Sequence, residues 1–214
     1  MNRLAQRLKA AVWLAAMLFT GAACAGSYDE FFQAVTRNDG AAVQAWLQRG
    51  FDANSRDPKG QTALFLALRG GAFGVADALL ADRSLDVNAL NEAGESALMI
   101  AALKGEADWI ARLLDRGAKV NKTGWAPLHY AATGAEPAVV KLLLDRGAVV
   151  DAASPNRSTP LMMAAQYGRE GSVDVLLAHG ADPKLKNDRG LNAADFARLG
   201  KRAALAARLD KLSH

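Results

Sequence analysis

Ala126-Pro127-Leu128-His129-Tyr130-Ala131 is one of six versions of a single hexapeptide. Ser96-Ala97-Leu98-Met99-Ile100-Ala101 precedes it, Thr159-Pro160-Leu161-Met162-Met163-Ala164 follows it, and Thr62-Ala63-Leu64-Phe65-Leu66-Ala67 stands earlier still. Degraded copies are Asp29-Glu30-Phe31-Phe32-Gln33-Ala34 and Asn192-Ala193-Ala194-Asp195-Phe196-Ala197. The starts fall at 29, 62, 96, 126, 159 and 192, with spacings of 33, 34, 30, 33 and 33. A fixed period of this length marks a supersecondary unit that cannot bury its apolar face alone and must stack on its neighbours.

A second signature trails the first. It reads Leu113-Leu114-Asp115-Arg116-Gly117-Ala118, Leu143-Leu144-Asp145-Arg146-Gly147-Ala148 and Leu176-Leu177-Ala178-His179-Gly180-Ala181, with weaker forms at Trp46–Gly50 and Leu79–Arg83. Each unit therefore reads as two short helices and a turn. Pro127 suits a first helical turn, where its missing N–H is no loss. Val139, Val140, Leu143 and Leu144 lie at helical spacing in a second helix over Pro137–Arg146. Gly147 then falls where a left-handed residue ends the helix.

These motifs resemble those of ankyrin repeat proteins, and the likeness covers residues 27–214 almost entirely. It implies an all-α solenoid of about six helix-turn-helix units with short β-hairpin fingers. The fingers are expected near Asp52–Gly60, Asp86–Glu95, Lys119–Trp125, Val149–Ser158 and Asp182–Gly190. The units are expected at 26–57 (an N-terminal cap), 58–91, 92–122, 123–156, 157–188 and 189–214 (a C-terminal cap).

Departures from the pattern concern the fingers. No copy carries a complete T-P-L-H. The third finger is three residues short, and Arg157 occupies a place where glycine is usual. The stretch Arg83-Ser84-Leu85 adds one residue and lacks the helix-ending glycine. Terminal repeats need a polar outer face. Phe31, Phe32, Val35, Val43, Trp46 and Leu47 supply the inner face of the first cap. Leu205, Leu209 and Leu212 form a stripe in the last one, with Lys201, Arg202, Arg208 and Lys211 as polar cover.

The chain has 214 residues, 26 basic and 22 acidic, with a net charge of +4. Apolar residues make up 51%, so disorder throughout is excluded. A single cysteine, Cys24, excludes a disulfide framework and paired-cysteine zinc sites. Arg3, Arg7 and Lys9 precede an uncharged run whose apolar heart, Ala10–Phe19, is too short to cross a bilayer, which takes roughly 20 residues. Ala23-Cys24-Ala25 is an A-x-A site, so residues 1–25 read as a signal peptide cleaved after Ala25. Two other outcomes stay open: retention as an anchor, or lipidation of Cys24, although Gly21 replaces the leucine-like residue of a lipobox. Removing the signal's three cations leaves 23 basic against 22 acidic residues, a net charge of +1. The basic balance belongs largely to the export label, and nucleic acid is not an expected partner.

Chemistry-bearing motifs are sparse. No H-E-x-x-H, P-loop or G-x-S-x-G pattern occurs. Gly70-Gly71-Ala72-Phe73-Gly74 lies between helices and not after a strand, so it reads as a turn. The family likeness implies that His129 hydrogen-bonds loop backbone and joins neighbouring units. His179 sits in a last helical turn, where an imidazolium favours the helix dipole. The Asp115-Arg116 and Asp145-Arg146 pairs read as solvated turn residues. Met99, Met162 and Met163 read as core filling between repeats, as do Trp46 and Trp109. No catalytic residue, metal ligand or cofactor is expected.

Binding residues follow from position in the repeat. The ends of the first helices face the concave side in the family, which places Arg69, Leu103, Lys104, Gln166 and Tyr167 there. Fingertip candidates are Lys59, Glu92, Glu95, Asn156, Arg157 and Ser158. Trp125 falls in the shortened finger, either as an exposed anchor or packed over the hairpin. The expected function is an exported, monomeric, non-enzymatic scaffold that stabilises, positions or inhibits a protein partner in the periplasm, through its concave face and fingers. Alternatives are an immunity-type inhibitor of an envelope-acting toxin, an enzyme built on the concave groove, and a binder of anionic membrane or polymer through the basic C-terminal repeat. A membrane location otherwise requires lipidation of Cys24.

Overall fold

A computed structural model describes residues 26–213. The signal peptide reading, with Cys24, and His214 lie outside the described residues.

Twelve helices follow one another in pairs among the described residues. They are α1 (26–36), α2 (Gly40–Gln48), α3 (Ala63–Gly70), α4 (Phe73–Ala81), α5 (Ala97–Lys104), α6 (Ala107–Asp115), α7 (Pro127–Thr133), α8 (Pro137–Asp145), α9 (Pro160–Gln166), α10 (Glu170–Ala178), α11 (Ala193–Leu199) and α12 (Ala203–Ser213). The first helices of successive pairs stack as an inner row, α3 on α5, α5 on α7, α7 on α9 and α9 on α11. The second helices form an outer row. One continuous apolar core runs through the stack, from Phe31 and Val43 to Leu205 and Leu209, as expected of units that bury their faces only against each other.

The hexapeptide sets each inner helix. Its first residue is the N-cap: the side-chain oxygens of Thr62, Ser96, Thr159 and Asn192 accept from the backbone N–H three residues on. Its fourth residue returns the bond. Met99 Sδ, Met162 Sδ and Asp195 Oδ2 each accept from the N-cap N–H, and His129 Nδ1 does the same at 3.1 Å from Ala126 N. Ala126 has no side-chain acceptor of its own, so this first turn depends on His129.

Glycine is needed where adjacent inner helices meet end to end. A Cβ on Gly168 would stand 2.1 Å from the Ala132 carbonyl oxygen, and one on Gly200 2.6 Å from that of Gln166. On Gly134 it would lie 2.8 Å from the Leu103 oxygen. The outer helices end on Gly117, Gly147 and Gly180 at φ of 90°, 87° and 86°. The segment after α4 has no such glycine and leaves the helix through an extended Asp82.

The fingers are turns with very little strand. Among the described residues only Arg56–Thr62 and Leu90–Ser96 form β-bridges. Four fingers share one closure. Asp57, Asn91, Ser154 and Asn187 each donate a backbone N–H to the carbonyl four residues on and accept that residue's N–H on a side-chain oxygen. The finger bases are joined by a ladder: Asn54, Asn88 and Asn121 each accept a backbone N–H from the next finger and donate to a carbonyl beside it. Asp151 holds the fourth rung and accepts from Asp182 N through both oxygens at 3.2 Å.

The caps depart from the expected pattern at two residues. Leu205 and Leu209 are buried, but Leu212 is exposed. Arg202 turns inward: one guanidinium nitrogen donates to the carbonyls of Ala164, Ala165 and Gly168 at 2.8–3.1 Å. It satisfies the C-terminal carbonyls of α9, which a helix end leaves without partners.

Candidate binding surface

The inner row and the third finger line an open apolar cavity of about 270 Å³. Leu103 comes from the end of α5, Trp125 from the finger, His129, Tyr130 and Thr133 from α7, and Met163 from α9. Successive inner helices thus supply its wall, and the finger supplies its edge. Trp125 is half-buried and meets the His129 ring edge-on at 5.2 Å and 78°. It packs beside the shortened finger and still presents part of its surface to the cavity.

His129 anchors this wall. It is 1% exposed. Because Nδ1 accepts from Ala126, the proton sits on Nε2, which donates to the Ser158 carbonyl at 3.1 Å. The imidazole therefore joins its own repeat to the next finger, as the family likeness implies. Burial holds its pKa below the usual 6.5, against the smaller raising effect of its backbone partners. Tyr130 donates its hydroxyl to Glu95 Oε1 at 2.9 Å, and burial first, then that carboxylate, pushes the phenol well above its ordinary value. A neutral imidazole and a neutral phenol leave the cavity uncharged.

The expected contact residues divide into three groups. Leu103 and Trp125 line the cavity together. Tyr167, at 58% exposure, and Arg69, Lys104, Lys59, Glu92, Asn156 and Arg157 are exposed, and Gln166 is half-buried. Arg69 lies over the Phe65 ring at 5.6 Å. Glu95 is half-buried with both carboxylate oxygens engaged, by Asn91 and Tyr130. Ser158, expected at a fingertip, is instead 1% exposed. Its N–H donates to Ser154, its carbonyl accepts from His129 and its hydroxyl accepts from Asn187. Closing the finger draws Ser158 inward, where a partner cannot touch it.

Met163 also differs from expectation. Met99 and Met162 are 1% exposed in the stack, but Met163 is half-buried on the cavity wall. His129, Tyr130, Thr133 and Met163 are the cavity residues not expected there from the sequence. Tyr130 and Met163 share the fifth position of the hexapeptide, so its size and polarity from copy to copy is the signal that marks them. Trp109 is buried as expected, stacked on Phe73 at 5.7 Å with Arg112 over its ring at 4.0 Å, whereas Trp46 is only half-buried.

The outer row carries the charge pairs. Arg112 meets Asp77 at 2.6 Å, Arg146 meets Asp115 at 3.2 Å, and Arg208 meets Asp174 at 2.5 Å, all between neighbouring repeats. Asp115 and Arg146 are thus exposed but cross-linked. His179 accompanies them, with Nδ1 on the Val175 carbonyl and Nε2 3.8 Å from Asp145. Such exposed pairs contribute roughly 0–1 kcal/mol each. Among the described residues no helix is long and apolar enough to cross a membrane.

Stacked helix pairs, capped inner helices and a wall built from successive inner helices define a helical-repeat solenoid of the interaction-module kind. The chain belongs to the ankyrin repeat family: the family model for ankyrin repeats (3 copies) matches residues 31–123 and 120–187. It is similar to a putative ankyrin repeat-containing protein of Treponema pallidum, 29% identical over 200 residues, which cover 92% of this chain and 56% of that protein. It is also similar to the ankyrin repeat protein nuc-2 of Neurospora crassa, 26% identical over 174 residues, covering 78% of this chain and 14% of that one. The chain spans little more than half of the first of these relatives and about a seventh of the second. Ankyrin repeats generally mediate protein–protein interaction and are a typical non-catalytic module.

Proposed function

We propose that this chain is an exported, non-enzymatic scaffold that holds one protein partner in the periplasm, by its inner-helix face. The observation that carries the reading is the uncharged cavity shared by Leu103, Trp125, Tyr130 and Met163. An aromatic edge beside a preformed apolar hollow is a good seat for an anchoring side chain. The exposed Tyr167, the C-cap of α9, adds a third aromatic beside Trp125 and Tyr130. The stack orders these groups before any partner arrives, so little entropy is lost on association. Export rests on residues 1–25 and periplasmic residence on their bacterial style.

The C-terminal repeat carries the second reading, a binder of anionic membrane or polymer, only in part. From Asp182 to His214 there are eight basic and four acidic residues. Arg198 is paired with Asp195 and Asp210, Arg208 with Asp174 and Glu170, and Arg202 is committed to α9. The other five cations, Lys184, Lys186, Arg189, Lys201 and Lys211, are exposed, so part of that excess stays at the surface.

The test uses the mature chain beginning at Gly26 as bait in an envelope extract, beside its Trp125→Ala and Tyr167→Ala variants. A stoichiometric protein recovered by the native chain, and weakened at least tenfold by Trp125→Ala, is expected. Equal recovery by all three baits overturns the assignment of the face. Intact mass of the protein isolated from cells tests export, with a start at Gly26 expected.

A further inference from the structure

The shortened third finger opens a notch between the second and fourth. It measures about 650 Å³, larger than the inner-face cavity, and the two share no lining residue. Leu90, Pro127, Val149 and Ala152 make its apolar part, with Val149 54% exposed. Lys119 and Lys122 stand on its rim, and no acidic residue lines it. Among the described residues neither ammonium meets a carboxylate, and Lys122 Nζ contacts only the Thr123 carbonyl, at 3.2 Å.

A second observation concerns the backbone. The other four fingers close on themselves through paired side-chain and main-chain bonds. In the third, deletion has removed that closure. Asn121 stands five residues before the hexapeptide, where the others keep their closing residue, but its amide is already used in the basal ladder. As a result no backbone N–H of residues 120–125 donates to any group of the described chain. Near the fingertips, Arg56 reaches the Leu90 carbonyl and Asp188 N donates to the Asn156 carbonyl, so the first finger is tied to the second and the fifth to the fourth. No such bond reaches residues 122–125. The row of fingers is broken at one place, and that place combines an apolar floor, two unpaired cations and a run of free donors.

We propose that this notch takes an extended, acidic segment of the partner protein. Its main-chain carbonyls accept from the free N–H groups of the third finger, as in recognition by strand addition. Its Asp or Glu carboxylates meet Lys119 and Lys122 in charge-assisted bonds. An alternate apolar side chain lies on Leu90, Pro127 and Val149. Charge complementarity sets the choice: a cationic rim free of acids favours carboxylates. A basic segment would be repelled, and a neutral one would leave both lysines without a partner. The inference rests on the protein-scaffold reading, but on a surface that reading does not use.

The experiment selects a displayed library of random twelve-residue peptides on the mature chain, on a Lys119→Glu/Lys122→Glu variant, and on the Trp125→Ala variant. Thermal melts verify that all three baits are folded. Peptides alternating acidic and apolar residues should be enriched on the native chain and on Trp125→Ala. Their affinity should fall about tenfold or more on the lysine variant, as loss of charge-assisted bonds implies. Replacing their Glu by Gln should weaken them to a similar degree. Enrichment of peptides that are insensitive to the lysines but lost in Trp125→Ala overturns the notch and leaves the inner-face reading standing. No enrichment on any bait overturns both. Inorganic phosphate or citrate displacing the selected peptides at micromolar concentration overturns the peptide assignment in favour of a small-anion site.

Discussion

His129 Nε2 donates to the carbonyl of Ser158, 29 residues away, at 3.1 Å, while its Nδ1 holds the first turn of its own helix. Met99 and Met162 occupy the same repeat position and make only the second of these bonds. The imidazole is therefore a cross-link between units that the thioether cannot form.

Substituting His129→Met keeps the cap acceptor and removes the link. The buried Ser158 carbonyl then keeps the Ser154 N–H but loses the second of its two donors, at a cost of about 0.5–1.5 kcal/mol. Urea unfolding at pH 8 should show that loss. The folded imidazole has a lowered pKa, so its stabilising effect is complete above the unfolded value of 6.5 and declines as pH falls through the folded one. Wild-type stability should therefore drop between pH 7 and 5 by more than that of His129→Met. Parallel pH profiles would show that His129 is not the titrating group.

Arg157 holds φ at +60°, while the matching residues are Gly60, Gly94, Gly124 and Gly190 at 68°, 75°, 80° and 73°. The left-handed region costs an ordinary residue roughly 1–2 kcal/mol, offset in part by the greater unfolded-state freedom of glycine. Arg157→Gly should raise stability by about 0.5–1 kcal/mol, read as a higher melting temperature.

Asp151 is the one carboxylate in a ladder of asparagines. Burial, outweighing its bonds from Asp182 N, raises its pKa above the ordinary 3.8. Asp151→Asn restores a donor toward the Gly180 carbonyl and removes the partly buried charge, a gain of about 1 kcal/mol. An acid with a raised folded pKa stabilises the fold below its unfolded value and loses that contribution as pH rises through the folded one. The advantage of asparagine should therefore grow from pH 3.5 to pH 7. Denaturant midpoints at the two pH values test it.

Gly168→Ala drives a methyl to within 2.1 Å of the Ala132 oxygen and 3.0 Å of the Ala164 Cα. Both are backbone atoms, so α7 and α9 must separate, at a cost of about 3 kcal/mol or more. Gly50→Ala meets nothing within 4 Å and strains only φ, at +89°, for about 1–2 kcal/mol. Circular dichroism melts of the two should rank them in that order.

Much of this architecture is legible in the hexapeptide. A polar first residue caps, an apolar third residue fills the stack, and a period of 33 requires stacking. Helix starts at Pro127 and Pro137 and the left-handed Gly147 follow from local chemistry. The binding surface is less legible, because exposure depends on how a finger closes. Ser158 and Asn156 are near neighbours in sequence, yet the first turns inward and the second stays exposed.

The sequence by itself determined the repeat, its caps and the place of the shortened finger, since these rest on bonds within a few residues. Only the tertiary structure decided that Arg202 caps a helix 34–38 residues away, that Met163 and Trp125 share a cavity wall, and that deleting three finger residues leaves a cavity of about 650 Å³ beside free donors. Those outcomes depend on contacts between units, and a repeat's own residues do not specify what its neighbour leaves uncovered.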